Sequence, residues 1–436
     1  MSTEVSRSDR FTPVLEHVKA LLPPLTRFAV DLHQHPEESG DEARTSSSLA
    51  DALEDSGFTV TRGVGGHGVV GVLTNGDGPR VMLRAELDAL PVPERTGLPY
   101  AASGPLSHSC GHDLHTAAVL GAATLLARSR EHWRGTLLVV GQPAEETLTG
   151  ARALLQDGLY SRFGPPDVVL AQHSAPLLAG MVAHAYPGGP VLAASAEVNV
   201  TLHGRGGHAG APHMAADPVL AAAAVIQRLQ GVVSRECAPA EQVALTVGTV
   251  HAGSRSNVIP DSARLGISVR ALSRPAVDRV LLAVDRVVRG EAAASGCPRP
   301  PEIATVGRSV ATVPDAAVSA EVSAAHREAF GAERVALWPP SMATEDVALF
   351  GEAGREIHGC GGIALGYWMF GVVGPRQWAS TSGATTADRL AGLPPNHSPE
   401  FAPHLPIALP AATEAMAVAA LCQLRGGAGP SAAPPE

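Results

Sequence analysis

Lysine is nearly missing from this chain: of 32 basic residues only Lys19 is one, and the arginines are scattered rather than run together. With a net charge of -10, the sequence carries no electrostatic footprint for nucleic acid, which argues against a polyanion partner. Cysteine is also scarce. Cys110, Cys237, Cys297, Cys360 and Cys422 are odd in number and widely spaced, which argues against a disulfide framework and for a reducing compartment. The opening "MSTEVSRSDRFTP" lacks an apolar h-region, and no run of about 18 uninterrupted apolar residues occurs. A soluble, cytoplasmic protein is expected.

Two catalytic signatures are missing as well. No G-x-S-x-G elbow is present, and "TSSSLAD" sits inside a helical pattern, so a serine hydrolase has little support. "GVGGHGVVG", from Gly63, resembles a phosphate loop, but a strand pattern follows it rather than a helix. It reads as a hairpin turn.

At 436 residues with 45% hydrophobic content, the chain exceeds the roughly 250 to 300 residues at which one core stops growing. Two domains are therefore expected. After a helical stretch from Val14 to Val30, three apolar runs each end in polar residues. "RVMLRAELDALP" breaks into Glu86 and Asp88, "TLLVVGQPAEE" into Glu145 and Glu146, and "VVLAQHSAP" into His173. Such runs, unalternating and separated by helices, suit strands buried on both faces of a mainly parallel sheet. Ligands collect at the carboxyl ends of those strands, where all three polar sets fall.

From 194 to 308 the pattern alternates and reads β-α-β-β-α-β, a ferredoxin-like α+β insertion. The expected organisation is an α/β catalytic domain with helices on both faces of its sheet, in two parts, 1–193 and 309–425, interrupted by this insertion. Residues 374–395, rich in Ser, Thr, Gly and Pro, read as a loop, and 426–436 as a disordered tail.

"HSCGHDLHTA", His108 to Ala117, concentrates three histidines, a cysteine and an aspartate. Cys110 and His112 can reach one ion only from non-helical backbone, and Gly111 between them supplies that freedom. A helix is expected from about Leu114 with Asp113 as its N-cap, its positive end favouring a thiolate at Cys110. A capped helix with solvated histidines is the plainer alternative for the segment, and His112 could instead activate Cys110 as a nucleophile. Glu145 and Glu146 would repel each other without a cation. Taken as an exposed helix start, they need none. Either of His173, in "HSAP", and His397, in "HSPE", could be an ordinary loop histidine. Together, Cys110, His112, Glu146, His173 and His397 are too many donors for one tetrahedral zinc and suit two divalent ions.

The motifs "HSCGHDLHTA", "GQPAEE", "GRGGHAGAPHMAADP" and "GSRSNVIPDSARLGISVR" resemble, in order and spacing, those of a metal-dependent amidohydrolase and metallopeptidase family. Its types are the hippurate hydrolases, aminoacylase-like N-acyl amino acid amidohydrolases and indoleacetyl amino acid conjugate hydrolases. The resemblance implies that Cys110, His112, Glu146, His173 and His397 hold a binuclear centre, with zinc favoured by the cysteine and manganese, cobalt or nickel accepted. It implies Glu145 as general base, His208 as stabiliser of the substrate carbonyl oxygen, and the insertion as a lid that mediates homodimerisation.

Asn257 and Arg270 are candidates for the substrate carboxylate, the latter through its planar fork of donors. Asp88 and Asp113 are candidates for orienting ligand side chains, and His108 and His115 are supporting residues. Glu86 stands where relatives carry aspartate, and Val347 where an aromatic is common. The expected reaction is hydrolysis of a small N-acyl amino acid. A dipeptidase or carboxypeptidase with the same centre, a catalytically silent metal-binding dimer and a cysteine hydrolase are the competing readings.

Overall fold

A computed structural model describes residues 10–424. The tail expected at 426–436 lies outside the described residues. The chain divides into two compact units: the larger holds residues up to 191, 313–339 and those from 346 on, and the inserted one holds 192–312 and 340–345.

In chain order the larger unit contributes β1 (Thr59–Val64), β2 (Gly68–Asn75), β3 (Arg80–Glu86), β4 (Gly135–Gln142), β5 (Val168–Leu178) and β6 (Val182–Ala185). The inserted unit follows with β7 (Ala194–His203), β8 (Gly207–His208), β9 (Val243–Ala252), β10 (Val258–Ile259), β11 (Ser262–Ala271) and β12 (Glu302–Ser309). The chain then returns for β13 (Val335–Trp338) and β14 (Ala364–Val373).

The sheet of the larger unit runs β1-β2-β4-β3-β5-β14-β6-β13. Its central neighbours β4, β3, β5 and β14 are parallel, as are β6 and β13, while β1–β2, β2–β4 and β14–β6 are antiparallel. Val81 to Glu86 are all buried, so both faces of the central strands are covered, which is why this strand shows no apolar alternation.

The helices Val18–Gln34, His112–Arg128 and Leu405–Gln423 pack into one hydrophobic core with the sheet. Leu405–Gln423 is long and apolar enough to cross a membrane by composition, yet 78% of its apolar window is buried inside the unit. Its alanines, strong helix formers with small side chains, let it sit at the centre of the core.

Three local expectations change. The N-terminal helix is two pieces, Thr12–Leu15 and Val18–Gln34, the second running through Pro23 and Pro24 to Gln34. The segment 374–395 is not an open loop: it contains the helices Pro375–Ser380 and Thr386–Ala391, the first entered through proline and the second through a reciprocal Thr385–Asp388 cap. The helix after Gly111 starts at His112, so Asp113 lies within its first turn and is not its N-cap. The turn after Gly63 is the hairpin expected, joining β1 to β2.

In the inserted unit the sheet order is β12-β7-β11-β9, antiparallel throughout. Its helices, Pro218–Glu236 and Arg274–Ala294, are capped by the side chains of Asp217 and Ser273. Val198, Val200, Leu202, Leu265, Ile267 and Val269 are buried in one cluster with the apolar residues of both helices. The alternating positions Glu197 and Asn199 are exposed, which is the pattern of a one-sided sheet. The unit also takes in 340–345, where Ala193 N–H donates to the Ala343 carbonyl at 2.9 Å.

Candidate metal centre

The three strand ends seen in the sequence meet because their strands are parallel neighbours in register. Glu86 pairs with Gln142 and Leu83 with Leu170, which brings the carboxyl end of β3 level with His173 on β5. Beside them, Gly111 adopts φ +86° and approaches Ser174 so closely that a Cβ would lie 2.8 Å from its Oγ. Only glycine satisfies both demands. The turn it makes delivers Cys110 just outside the helix and His112 as its first residue.

The acidic pair lies in a strained turn rather than at an exposed helix start. Ala144 and Leu148, flanking it, have φ of +51° and +55°, and His397 has φ +68°. Such non-glycine conformations persist only where surrounding contacts impose them. Here Ala144 N–H donates to Glu42 Oε1 at 2.7 Å, Glu146 N–H to Asp88 Oδ2 at 2.9 Å, and His397 N–H to the Ser109 carbonyl at 2.8 Å.

The candidate ligands of the larger unit converge. Cys110 Sγ is 3.4 Å from His173 Nε2, and His397 Nε2 is 3.4 Å from Glu146 Oε2. His112 Nε2 is 3.8 Å from Glu146 Oε1 and 3.9 Å from Glu145 Oε2. Donor atoms of Cys110, His112 and Glu146 all lie within 4.8 Å of one another. His112 Nε2 and Glu146 Oε1 are buried and have no hydrogen-bond partner. Two orphaned buried donors facing each other beside a thiol are the chemistry a divalent cation satisfies, so the site fits such an ion.

The imidazoles are aimed from behind. His112 Nδ1 lies 2.9 Å from the Asp88 carbonyl and 3.2 Å from its Oδ1, so Nδ1 donates and Nε2 is the nitrogen that faces the centre. His173 Nδ1 likewise donates to the Ser174 carbonyl at 2.8 Å. Burial and then the adjacent His115 press His173 down to about 3, so it stays a neutral donor.

At Cys110 the expected thiolate bias of the helix end does not prevail. Burial, and then the Glu146 carboxylate, push the thiol up to about 12. One helix terminus is too weak to offset both.

Asp113 does not orient a proposed ligand. Its Oδ2 is 2.8 Å from His33 Nδ1, and Glu94 Oε1 is 3.2 Å from His33 Nε2. Burial opposes charge on His33, but Asp113 and Glu94 outweigh it and raise its pKa to about 10.

Arg84, Gln142 and Asp346, which sequence reasoning missed, join Glu86 in a buried ionic cluster. Arg84 Nη1 donates to Glu86 Oε1, Arg84 Nη2 to Asp346 Oδ1 at 3.2 Å, and Gln142 Nε2 to Asp346 Oδ1 at 2.7 Å. The signal available was an arginine inside the apolar run "VMLRAE", which must find an anion if the strand is buried.

In the inserted unit, His208 on β8 pairs with Val258 on β10. Ala209 N–H donates to the Asn257 carbonyl at 3.1 Å, so His208 and Asn257 lie side by side. Both side chains are on exposed residues, and His208 Nδ1 accepts from Gly210 N–H at 3.0 Å. Arg270, near the far end of β11, donates from Nη1 to the Met342 carbonyl at 2.8 Å.

Residues 82–366 match the model of peptidase family M20/M25/M40. The chain belongs to this family. Among M20/M25/M40 relatives it is 40% identical to the hippurate hydrolase of Campylobacter jejuni over 243 residues, 55% of this chain and 62% of that protein. It is 39% identical to the N-acetyl-L-cysteine deacetylase of Bacillus subtilis over 242 residues, 55% of this chain and 57% of that protein. The chain thus spans somewhat under two thirds of the length of these curated relatives. A solved dinuclear metal binding peptidase of the M20 family from Bacillus subtilis superposes with a TM-score of 0.73 at 27% identity, covering 93% of this chain and 99% of that one. The mainly parallel sheet and the inserted α+β unit are the M20 fold.

Proposed function

We propose that this M20 protein is a metal-dependent amidohydrolase that cleaves N-acyl amino acids to a carboxylic acid and a free amino acid. The observation that carries the reading is the convergence of buried donors, with His112 Nε2 and Glu146 Oε1 orphaned at its centre. Cys110, His112, Glu146, His173 and His397 would hold two divalent ions. Zinc is favoured by the thiol, and manganese, cobalt or nickel are compatible with the nitrogen and oxygen donors. When bound, such ions lower the pKa of water and polarise a carbonyl oxygen.

Glu145, buried beside His112, takes the proton of the attacking water and returns it to the leaving nitrogen, acting as base and then as acid. Asp88 holds the His112 tautomer and the Glu146 amide. From the inserted unit, His208 would donate to the developing oxyanion, and Asn257 and Arg270 would receive the substrate carboxylate. That unit acts as a lid and dimerisation module, giving a homodimer. The acyl preference follows the named relatives, hippurate and N-acetylcysteine being the first substrates to assay. A cytoplasmic setting is supported by five free cysteines.

Elemental analysis of the purified protein, with an N-acyl amino acid panel assayed for wild type and Glu145→Gln, tests the reading. About two equivalents of metal, activity lost to chelator, and a variant that keeps metal but not turnover are expected. A metal-free, fully active protein would overturn it.

A further inference from the structure

Glu86 and His115 play no part in the reaction just described, yet both are fully buried against the candidate ligands. The two oxygens of Glu86 have different partners: Oε1 accepts from Arg84 Nη1, and Oε2 lies 2.9 Å from His115 Nδ1. The other ring nitrogen, His115 Nε2, accepts the Ser174 N–H at 2.9 Å. An amide N–H only donates, so Nε2 must be the unprotonated nitrogen. The proton therefore sits on Nδ1, facing the Glu86 carboxylate, and the ring is locked as one neutral tautomer.

Ser174 is where this lock reaches the centre. Its carbonyl accepts from His173 Nδ1 at 2.8 Å, and its hydroxyl donates to the Cys110 carbonyl at 2.8 Å. The His115 ring meets the His173 ring edge-on at 4.6 Å between centroids. One serine thus ties the backbone or side chain of two proposed ligands to an imidazole whose orientation Glu86 dictates. Arg84 completes the arrangement by keeping Glu86 an anion in a site without solvent.

We propose that Glu86 is a positioning residue for metal binding, acting through the fixed His115 tautomer and the Ser174 amide to aim His173 and Cys110. This rests on the metal-centre reading above. A glutamine at 86 cannot serve both neighbours. With its oxygen toward His115 its amino group opposes Arg84, and in the reverse orientation it forces the His115 proton onto the nitrogen that faces Ser174 N–H. Outer-shell partners of this kind are worth about 10- to 100-fold in metal affinity.

The test uses the full-length protein and Zn²⁺ alone, titrated against a competing chelator, together with nitrogen NMR of histidine-labelled metal-free protein. Wild-type His115 is expected to give the neutral Nδ1–H pattern, and folded Glu86→Gln to bind Zn²⁺ about 10- to 100-fold more weakly. His115→Phe, which keeps a ring but removes both nitrogens, is expected to show the same loss. A wild-type His115 carrying its proton on Nε2 overturns the proposal whatever the variants do. So does a folded Glu86→Gln or His115→Phe protein that binds Zn²⁺ as wild type does, even if it is less stable. Wild-type protein that binds no Zn²⁺ overturns the metal-centre reading as well, and so separates the two failures.

Discussion

In the larger unit Arg84, Glu86, Asp346 and His115 are buried and satisfy one another from a strand, a helix and a loop. In the inserted unit the charged pairs Arg279–Glu241 and Arg286–Glu236 lie at the surface, and His208 and Asn257 are exposed. The contrast teaches where rigidity is held. Buried polar groups must all be satisfied at once, so they specify one geometry, whereas exposed ones are satisfied by water in many. A centre proposed to hold metal ions belongs to the first kind. Residues proposed to meet a substrate can belong to the second.

The largest effect is expected at Glu145: Glu145→Gln should lower kcat by about 10²- to 10⁴-fold with metal content unchanged. His208→Ala should lower kcat by about 10²- to 10³-fold while leaving metal content and melting temperature as in wild type. If His208→Ala also releases metal, the division between the units is wrong.

Stability should divide the same way. Arg84→Met leaves Glu86 and Asp346 as uncompensated buried carboxylates, and denaturant unfolding should register a loss of about 3–5 kcal/mol. Arg286→Ala, breaking a surface pair, should leave the melting curve nearly unmoved. Adding Zn²⁺ at about 100 times its Kd should stabilise wild type by about 2.7 kcal/mol, and Cys110→Ala should diminish that gain.

A further effect concerns pH and again belongs to the larger unit. His184 Nε2 lies 3.0 Å from His326 Nδ1 in the core, and burial presses His326 down to about 4. Because its folded pKa lies below the ordinary 6.5, the unfolded chain binds the extra proton first. Its contribution is full above about 6.5 and is lost as pH falls toward 4. His33 has the opposite sign: burial opposes its charge, but Asp113 and Glu94 raise it to about 10, so its contribution is full below 6.5 and lost as pH rises through 10. Melting temperatures of metal-free protein across this range should fall at both ends. His326→Leu should flatten the acid limb and His33→Gln the alkaline one.

The elements and the candidate donors were legible in the sequence. Unalternating apolar runs identified strands covered on both faces, because such a strand has no solvent side to tolerate a polar residue. Alternation between 194 and 308 identified a one-sided sheet, since Val198, Val200 and Leu202 all point one way. Local chemistry also identified Gly111 as the residue that lets Cys110 and His112 diverge from helical spacing. Turn content misled at 374–395, where a proline entry and the Thr385–Asp388 cap make short helices from residues that usually read as loop.

What each polar group faces follows from contacts between distant parts of the chain. Asp113 looked like a cap or a ligand's support, and it serves His33, 80 residues away. Arg84 and Asp346, separated by 262 residues, meet because β3 ends beside the segment that follows the insertion. The charge state of Cys110 could not be inferred from its place at a helix start, because desolvation and Glu146 come from elements far along the chain. Donor identity is a property of one residue and is written in the sequence. Donor orientation depends on hydrogen bonds between strands, and those exist only once the sheet has formed.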